Sequence, residues 1–253
     1  MKKIILFILL VPTLSIAQSR EDAKEAAIRA IGQLVSTYRQ LPQLSFAVNY
    51  RYAAADRPGV YLDSMEGRVI ISGQQYWYSM AQTECVLNAD YQIMIFKEDK
   101  LIYLARPNKD MAASMAMQAM GPQALHAFDS LIRNGQGIHS TIWETNAEQI
   151  VQVDFTGHPT YKSLSWFISK ETGLIGKMVT VMKAGQLYDA SVRSQVDDKD
   201  TYAIVETLYT AYQKGGVDEN IFRSDRYFNR QGTAYQPSAQ YSNYKIFLGS
   251  QGL

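Results

Sequence analysis

The sequence has few of the features that mark metal centres, phosphate sites or nucleic-acid-binding proteins. Its one cysteine, Cys85, excludes an intramolecular disulfide and a metal cage built from cysteines, and we expect a buried core position for it. The 25 lysines and arginines nearly balance the 24 acidic residues and form no basic block, which argues against a nucleic-acid partner. There is no glycine-rich phosphate loop and no nucleophile elbow of the G-x-S-x-G type.

The histidines and acidic residues form no pattern typical of catalysis or metal binding. The three histidines are His126, His139 and His158. They are far apart, and none has a partner at the four-residue helical spacing of a zinc site. Acidic pairs such as Asp197–Asp198 and Asp63/Glu66 are more simply explained as solvated strand ends than as a general acid–base pair. We therefore predict no enzymatic activity, no metal and no cofactor, and rank a hydrolase with a dispersed site third among the functions considered.

Long apolar runs are absent except at the N-terminus, where the pattern is that of a secretory signal. Two lysines precede the apolar run Ile4–Val11, which is too short to cross about 30 Å of hydrocarbon. The small residues of Ser15–Ala17 follow, and they predict cleavage between Ala17 and Gln18. We expect residues 1–17 to be removed and the mature chain, with a net charge of about −1, to be exported without spanning a membrane.

The mature chain begins with a predicted helix and continues with predicted strands. Residues Ser19–Gln40 carry one apolar stripe at helical spacing, and Pro42 prevents the helix from continuing. From Leu44 onward the apolar residues alternate with polar ones, which indicates half-buried strands. The predicted strands are Leu44–Tyr52, Val60–Ile71, Gln75–Met80, Cys85–Val86, Tyr91–Phe96, Leu101–Leu104, Ile138–Trp143, Gln149–Phe155, Leu164–Ile168, Leu174–Met182, Leu187–Val196, Tyr202–Tyr212 and Tyr241–Leu248.

This pattern predicts a mainly β, α+β protein of one domain. About a dozen strands at regular spacing are typical of a sandwich or a barrel, and their short connections favour antiparallel neighbours. No linker rich in proline, glycine or serine divides residues 18–253, although the tail from about Arg230 to Gln240 is expected to be irregular. Such a chain is long enough to bury a substantial core.

A segment rich in alanine and methionine, Asp110–Arg133, interrupts the strands and is predicted to be helical. Its methionines are Met111, Met115, Met117 and Met120. They surround much of the helix instead of forming one stripe, and unbranched methionine suits a lid that meets variable apolar shapes. Gap filling in a core is the alternative explanation.

Three segments give the chain a resemblance to the LolA-like periplasmic carriers that sort outer-membrane lipoproteins. Gly67–Tyr78 (GRVIISGQQYWY) resembles the early strand pair of that family. Leu164–Val179 (LSWFISKETGLIGKMV) is similar to its hairpin with a Thr-Gly turn, and Val217–Phe228 (VDENIFRSDRYF) to its ending. The resemblance implies an incomplete, strongly curved antiparallel β-barrel of about a dozen strands with an N-terminal helix and a mid-chain helical lid. The longer C-terminal part, Arg230–Leu253, departs from the family's carrier.

The resemblance also implies a function and a location. We expect a periplasmic, non-enzymatic protein that binds a lipidic ligand or lipoprotein acyl chains in the apolar concave face, with lipoprotein or lipid transport as the implied role. The predicted ligand-binding residues are Phe46, Val48, Tyr50, Met65, Val69, Tyr76, Tyr78, Met111, Met115, Met117 and Met120. The alternative is an envelope scaffold or adaptor that binds other proteins, in which case these aromatic residues only pack the sheet.

Overall fold

The computed structural model describes residues 20–107, 130, 132–133, 135–187, 202–250 and 253. They include helix α1 (Arg20–Arg39), three further helical residues at 130, 132 and 133, and fourteen strands. The strands are β1 (Gln43–Ala54), β2 (Tyr61–Ser72), β3 (Gln75–Met80), β4 (Thr83–Leu87), β5 (Gln92–Phe96), β6 (Leu101–Ala105), β7 (Ile138–Glu144), β8 (Glu148–Phe155), β9 (Tyr161–Ser169), β10 (Ile175–Lys183), β11 (Tyr202–Lys214), β12 (Phe228–Gln231), β13 (Ala234–Pro237) and β14 (Lys245–Leu248).

Twelve of these strands form one sheet. Their order is β14-β6-β5-β4-β3-β2-β1-β11-β10-β9-β8-β7, and every neighbouring pair is antiparallel except β14 and β6. The two outermost strands, β14 and β7, do not pair with each other, so within the described residues the curved sheet stays open. The prediction of a mainly β protein with an N-terminal helix and an incomplete, strongly curved barrel is therefore confirmed.

Helix α1 packs on the concave face of this sheet. Its stripe of Ala27, Ile31, Leu34 and Tyr38 is buried, as the helical spacing predicts. The same core contains Phe46 and Val69 from the β1–β2 half of the sheet, together with side chains from β8, β9 and β10. Since one straight helix contacts both halves of the sheet, the face that it covers is the concave one.

A second core covers the convex face of strands β2 to β6. There Trp77, Val86 and Ile95 point away from α1, and Phe222, Tyr227 and Phe228 of the C-terminal segment pack on them. The expectation of an irregular stretch after Arg230 is wrong, because this stretch contains most of the hairpin β12–β13. The hairpin places aromatic residues over an apolar face that would otherwise be exposed to water.

Several predictions made from the sequence lie outside the described residues. The signal sequence (1–17), most of the helical insertion (110–129 and 131) and most of the strand expected at Leu187–Val196 are among them. Leu187 itself is exposed and follows a short 3-10 turn, so the strand does not begin there. At the end of the insertion, Ser130, Ile132 and Arg133 are helical, and Ile132 is buried in the concave core. No helix in the described ranges has the length and apolar character needed to cross a membrane.

Candidate ligand-binding site

Seven of the eleven predicted ligand-binding residues are described, and all seven lie on the concave face. They are Phe46, Val48, Tyr50, Met65, Val69, Tyr76 and Tyr78. Directly opposed residues of an antiparallel pair share one face, and the register pairs Phe46 with Val69, Val69 with Tyr78 and Tyr50 with Met65. The other four, Met111, Met115, Met117 and Met120, lie outside the described residues, so their role as a lid stays a prediction.

The concave surface of β1–β3 continues from the buried core to the solvent. Phe46, Val48 and Val69 are almost completely buried, and Tyr50 is half-buried. Met65, the partner of Tyr50 across the strand pair, exposes 47% of its surface. An apolar path therefore leads from the centre of the molecule to an exposed methionine.

A small apolar pocket lies along this path. Its volume of about 10 Å³ corresponds to roughly one water molecule. The residues that line it are Val48, Tyr50, Gly67, Arg68, Val69, Tyr78, Ser79 and Met80. Gly67 occupies the concave position between Val48 and Met80 and contributes no side chain. A Cβ atom at Gly67 would lie 2.7 Å from the carbonyl oxygen of Ser79, so only glycine permits this close approach of β2 and β3.

Six tyrosines contribute to the concave core, and we call them the tyrosine cluster. They are Tyr38 of α1, Tyr50 of β1, Tyr76 and Tyr78 of β3, and Tyr209 and Tyr212 of β11. The rings of Tyr76 and Tyr78 are 6.0 Å apart, and Phe46 lies 5.9 Å from Tyr209 and 5.2 Å from Tyr212. Sequence reasoning did not assign Tyr38, Tyr209 or Tyr212 to the site, because their closeness depends on the long-range pairing of β1 with β11.

A β-bulge explains how Tyr209 and Tyr212 come to share one face. Residues three apart on a regular strand point to opposite faces. The β1–β11 register shifts between Ser45 and Ala47, and Ala211 has a left-handed backbone with φ of 52°. The extra residue restores the alternation so that both tyrosines pack around Phe46.

Substitutions at Ala211 test this explanation, because Ala211 is exposed and its effect on stability comes from the backbone. Ala211→Val should lower the free energy of unfolding by about 1–2 kcal/mol, since a β-branched residue is strained at positive φ. Ala211→Gly should change it by less than about 1 kcal/mol. Thr210→Val, at the exposed neighbouring position, is the matched control and should be nearly neutral in urea unfolding. Equal losses for the two valine variants would contradict the proposed role of the bulge.

Hydrogen bonding divides the tyrosine cluster into two groups. The Tyr212 hydroxyl donates to the carbonyl oxygen of Ile175 at 2.8 Å and lies 2.9 Å from the Tyr38 hydroxyl, which therefore donates to it. The hydroxyls of Tyr76 and Tyr209 are buried and have no hydrogen-bond partner among the described residues. Thr207, opposite Tyr50 on the same face, also has a buried hydroxyl without a partner there.

Burial keeps the groups of this face neutral. Desolvation raises the pKa of Tyr38 and of Tyr78 to about 12, and it raises the pKa values of Tyr50, Tyr76, Tyr209 and Tyr212 as well. The phenols also raise one another's pKa, since the charges of Tyr50 and Tyr76 would each disfavour ionisation of Tyr209. The concave surface thus offers uncharged hydroxyls within an apolar wall.

Cys85 belongs to the same face, where it lies opposite Tyr78. Its side chain is completely buried, which confirms the core position expected from the sequence. Desolvation raises the pKa of its thiol to about 12, so the thiolate that would act as a nucleophile is not populated near neutral pH.

The described residues offer no arrangement typical of catalysis. No group of three metal-ligating side chains occurs among them. The ring Nδ1 of His158 accepts hydrogen bonds from the backbone N–H groups of Thr160 and Tyr161 at 3.1 and 3.0 Å, which gives this histidine a structural role at a turn. Glu66 accepts a hydrogen bond from Asn49 at 3.2 Å on the exposed part of β2, as a solvated strand residue does.

No family model and no curated protein matches this chain. Solved structures do match at the level of fold. A LolA superfamily protein from Nitrosomonas europaea is 10% identical, with a TM-score of 0.34 over 79% of this chain and 98% of that one. Lipoprotein LppX from Mycobacterium tuberculosis is 7% identical, with a TM-score of 0.39 over 77% and 98%.

MucB in the Pseudomonas aeruginosa MucA/MucB complex is also similar. The identity is 11%, and the TM-score is 0.39 over 79% of this chain and 61% of that one. The resemblance to LolA-like proteins that the sequence predicts is thus confirmed as a likeness of fold. At TM-scores below 0.5 this likeness says nothing about the ligand of this chain.

Proposed function

We propose that this is an exported protein that binds a lipidic ligand, with the acyl chain lying along the concave face of β1, β2 and β3, and transports it without chemical change. The observation that carries the proposal is the apolar path from buried Val48 through the pocket at Tyr50 and Met80 to exposed Met65. Here the apolar surface of the core continues without interruption to the solvent, and contiguous exposed apolar surface marks ligand-binding grooves and interaction sites.

The small size of the pocket requires that a chain displace side chains as it binds. Each buried methylene contributes about 0.8 kcal/mol, so several chain carbons can offset the cost of moving a methionine or tyrosine. The unbranched Met80 at the rim can adopt new rotamers at little cost. Under this proposal, the methionines of the insertion serve as the lid that the chain replaces.

An adaptor function is the second candidate, and the edges of the sheet favour it. The outer strands β7 and β14 carry Trp143, Phe247 and Leu248, which are all largely exposed. An exposed strand edge can pair with an extended segment of a partner protein. This interaction would leave the concave face unused.

Binding of a neutral apolar dye, N-phenyl-1-naphthylamine, tests the proposed function. The wild-type protein should enhance its fluorescence and bind it saturably. Met80→Lys places an ammonium group at the rim of the pocket and should weaken dye binding about ten-fold or more, because the charge must be desolvated when the apolar ligand binds.

Gln75→Lys is the matched control, since Gln75 belongs to the same strand as Met80 but lies on its convex face opposite Ser72 and does not line the pocket. It should leave dye binding unchanged. Equal weakening by both variants, or no binding by the wild type, would count against the concave face and favour the adaptor. Lipids extracted from protein purified from its own compartment and identified by mass spectrometry would give the natural ligand.

A further inference from the structure

Three buried hydroxyl groups on the part of the concave face formed by β1, β2, β3 and β11 lack hydrogen-bond partners within the described residues. They belong to Tyr76, Tyr209 and Thr207, whose exposed fractions are 7%, 4% and 0%. More than nine in ten buried polar groups in folded proteins are paired, and an unpaired one costs free energy. Three such groups close together on one face indicate a site for a partner that the described residues do not supply.

These hydroxyls border the path proposed for the acyl chain. Thr207 and Tyr209 are two residues apart on the same face of β11, which separates their Cα atoms by about 7 Å. Across the strand pair, Thr207 lies opposite Tyr50 and Tyr209 lies opposite Val48, two of the residues that line the pocket. Tyr76 lies on β3, and it is close enough to Tyr209 that its ionised phenol would raise the pKa of Tyr209.

Packing alone does not explain why these hydroxyls are unpaired. Tyr38 and Tyr212 belong to the same cluster, and their hydroxyls form a chain of hydrogen bonds that ends on the carbonyl oxygen of Ile175. A phenylalanine would fill the positions of Tyr76 and Tyr209 equally well without an unpaired hydroxyl. The two phenols are therefore better explained by recognition than by packing.

The surroundings define the chemistry of the missing partner. The concave positions of β1, β3 and β4 hold no charged side chain, and the groups that act on the pKa of Tyr76 are Tyr50, Tyr78 and Cys85. An ionised carboxylate or phosphate would be desolvated here without a cation, at a high cost. A carbonyl oxygen is neutral and has two lone pairs, so it can accept hydrogen bonds from two hydroxyls.

We propose that Tyr76, Thr207 and Tyr209 line a polar subsite in which two of these hydroxyls at a time hydrogen-bond the carbonyl oxygen of a neutral acyl ester or amide. This inference rests on the proposed function, in which the attached chain lies along β1–β3. The subsite deepens that function because it selects acylated ligands over plain hydrocarbons and over free fatty acids.

Competition against bound N-phenyl-1-naphthylamine tests the subsite. The competitors are methyl decanoate and tridecane, which have the same number of heavy atoms, and ionised decanoate. For each protein, the half-displacement concentration of the ester is divided by that of the alkane. Comparing this ratio between wild type and variant cancels the difference in water solubility between the two competitors. Relative to wild type, the Tyr76→Phe/Tyr209→Phe double variant should lose about ten-fold in its preference for the ester.

Tyr38→Phe is the matched control, since it makes the same change in the same cluster at a paired hydroxyl. It should keep the ester preference and lower the melting temperature of the free protein. The double variant should raise the melting temperature, because two unpaired hydroxyls are removed. A lower melting temperature for the double variant would mean that the hydroxyls have partners in the free protein, such as ordered water, and would overturn the subsite.

The outcomes separate the subsite from the proposed function. If tridecane and methyl decanoate displace the dye and the double variant keeps the wild-type ratio, the subsite is wrong and the lipid-binding face remains. If decanoate displaces the dye as well as methyl decanoate does, a charged headgroup is bound and the subsite is again wrong. If neither neutral competitor displaces the dye, the proposed function fails and the subsite fails with it.

Discussion

Raising the pH from about 10 to about 12 is expected to unfold the protein in one cooperative step. The six phenols of the tyrosine cluster have raised pKa values in the folded protein, whereas in the unfolded chain each returns to about 10. Below pH 10 the phenols are protonated in both the folded protein and the unfolded chain, so the folded protein keeps its full stability. Above it the unfolded chain releases protons that the folded protein retains, so stability falls by about 1.4 kcal/mol per pH unit for each phenol.

Six phenols together lower stability by about 8 kcal/mol per pH unit, which is comparable to the whole stability of a typical domain. Tyrosinate absorbance in the near ultraviolet and near-ultraviolet circular dichroism should therefore change together. The Tyr76→Phe/Tyr209→Phe double variant has two fewer such phenols, so its transition should be less steep and lie at higher pH. Ionisation of the cluster while the dichroism stays native would show that these phenols are in contact with solvent.

The parts of the fold that follow from local pattern were predictable from the sequence. Helix α1 has one apolar stripe, and the alternation along β1 already places Phe46, Val48 and Tyr50 on one face. The boundary between β2 and β3 agrees within one residue because the Gly73–Gln74 turn is marked by a glycine that tolerates positive φ, with φ of 57° at Gly73. Local pattern, however, does not determine which distant strands become neighbours.

Tyr209 and Tyr212, the site residues that the sequence did not predict, depend on such distant pairing. Tyr209 becomes a neighbour of Val48 only because β11 pairs with β1, more than 150 residues earlier in the chain. Tyr212 joins it through the bulge at Ala211, a residue type that seldom adopts positive φ and so gives no warning in the sequence. Strict alternation would have assigned Tyr209 and Tyr212 to opposite faces.

The convex layer shows a second limit of local reasoning. The sequence shows that Phe222, Tyr227 and Phe228 are apolar residues near the end of the chain. No periodicity in the sequence indicates that they pack on Trp77 or Val86. The parallel pairing of β14 with β6 is likewise invisible to a rule that expects short antiparallel connections. The C-terminal segment thus supports, from the convex side, the same strands β3 and β4 whose concave side carries Tyr76, Tyr78 and Cys85.

Phe222→Ala is expected to lower the free energy of unfolding by about 3–5 kcal/mol. Phe222 is 1% exposed in the convex core, and the side-chain amide of Asn88 donates to its backbone carbonyl at 2.7 Å, which fixes the ring over β3 and β4. Removing the ring leaves a cavity that the short 3-10 turn around it cannot close. In urea unfolding the midpoint should fall by about 1 M or more with little change in slope.

Phe247→Ala is the matched control for this loss. Phe247 belongs to the same C-terminal segment and stacks on Tyr103 with ring centroids 5.8 Å apart, but 57% of its surface is exposed. Its removal should cost less than about 1 kcal/mol. If Phe222→Ala costs no more than Phe247→Ala, the C-terminal segment is not part of the cooperative core. If the difference appears, dye binding measured well below the midpoint should remain that of the wild type, because the convex layer stabilises the concave face without touching its ligand.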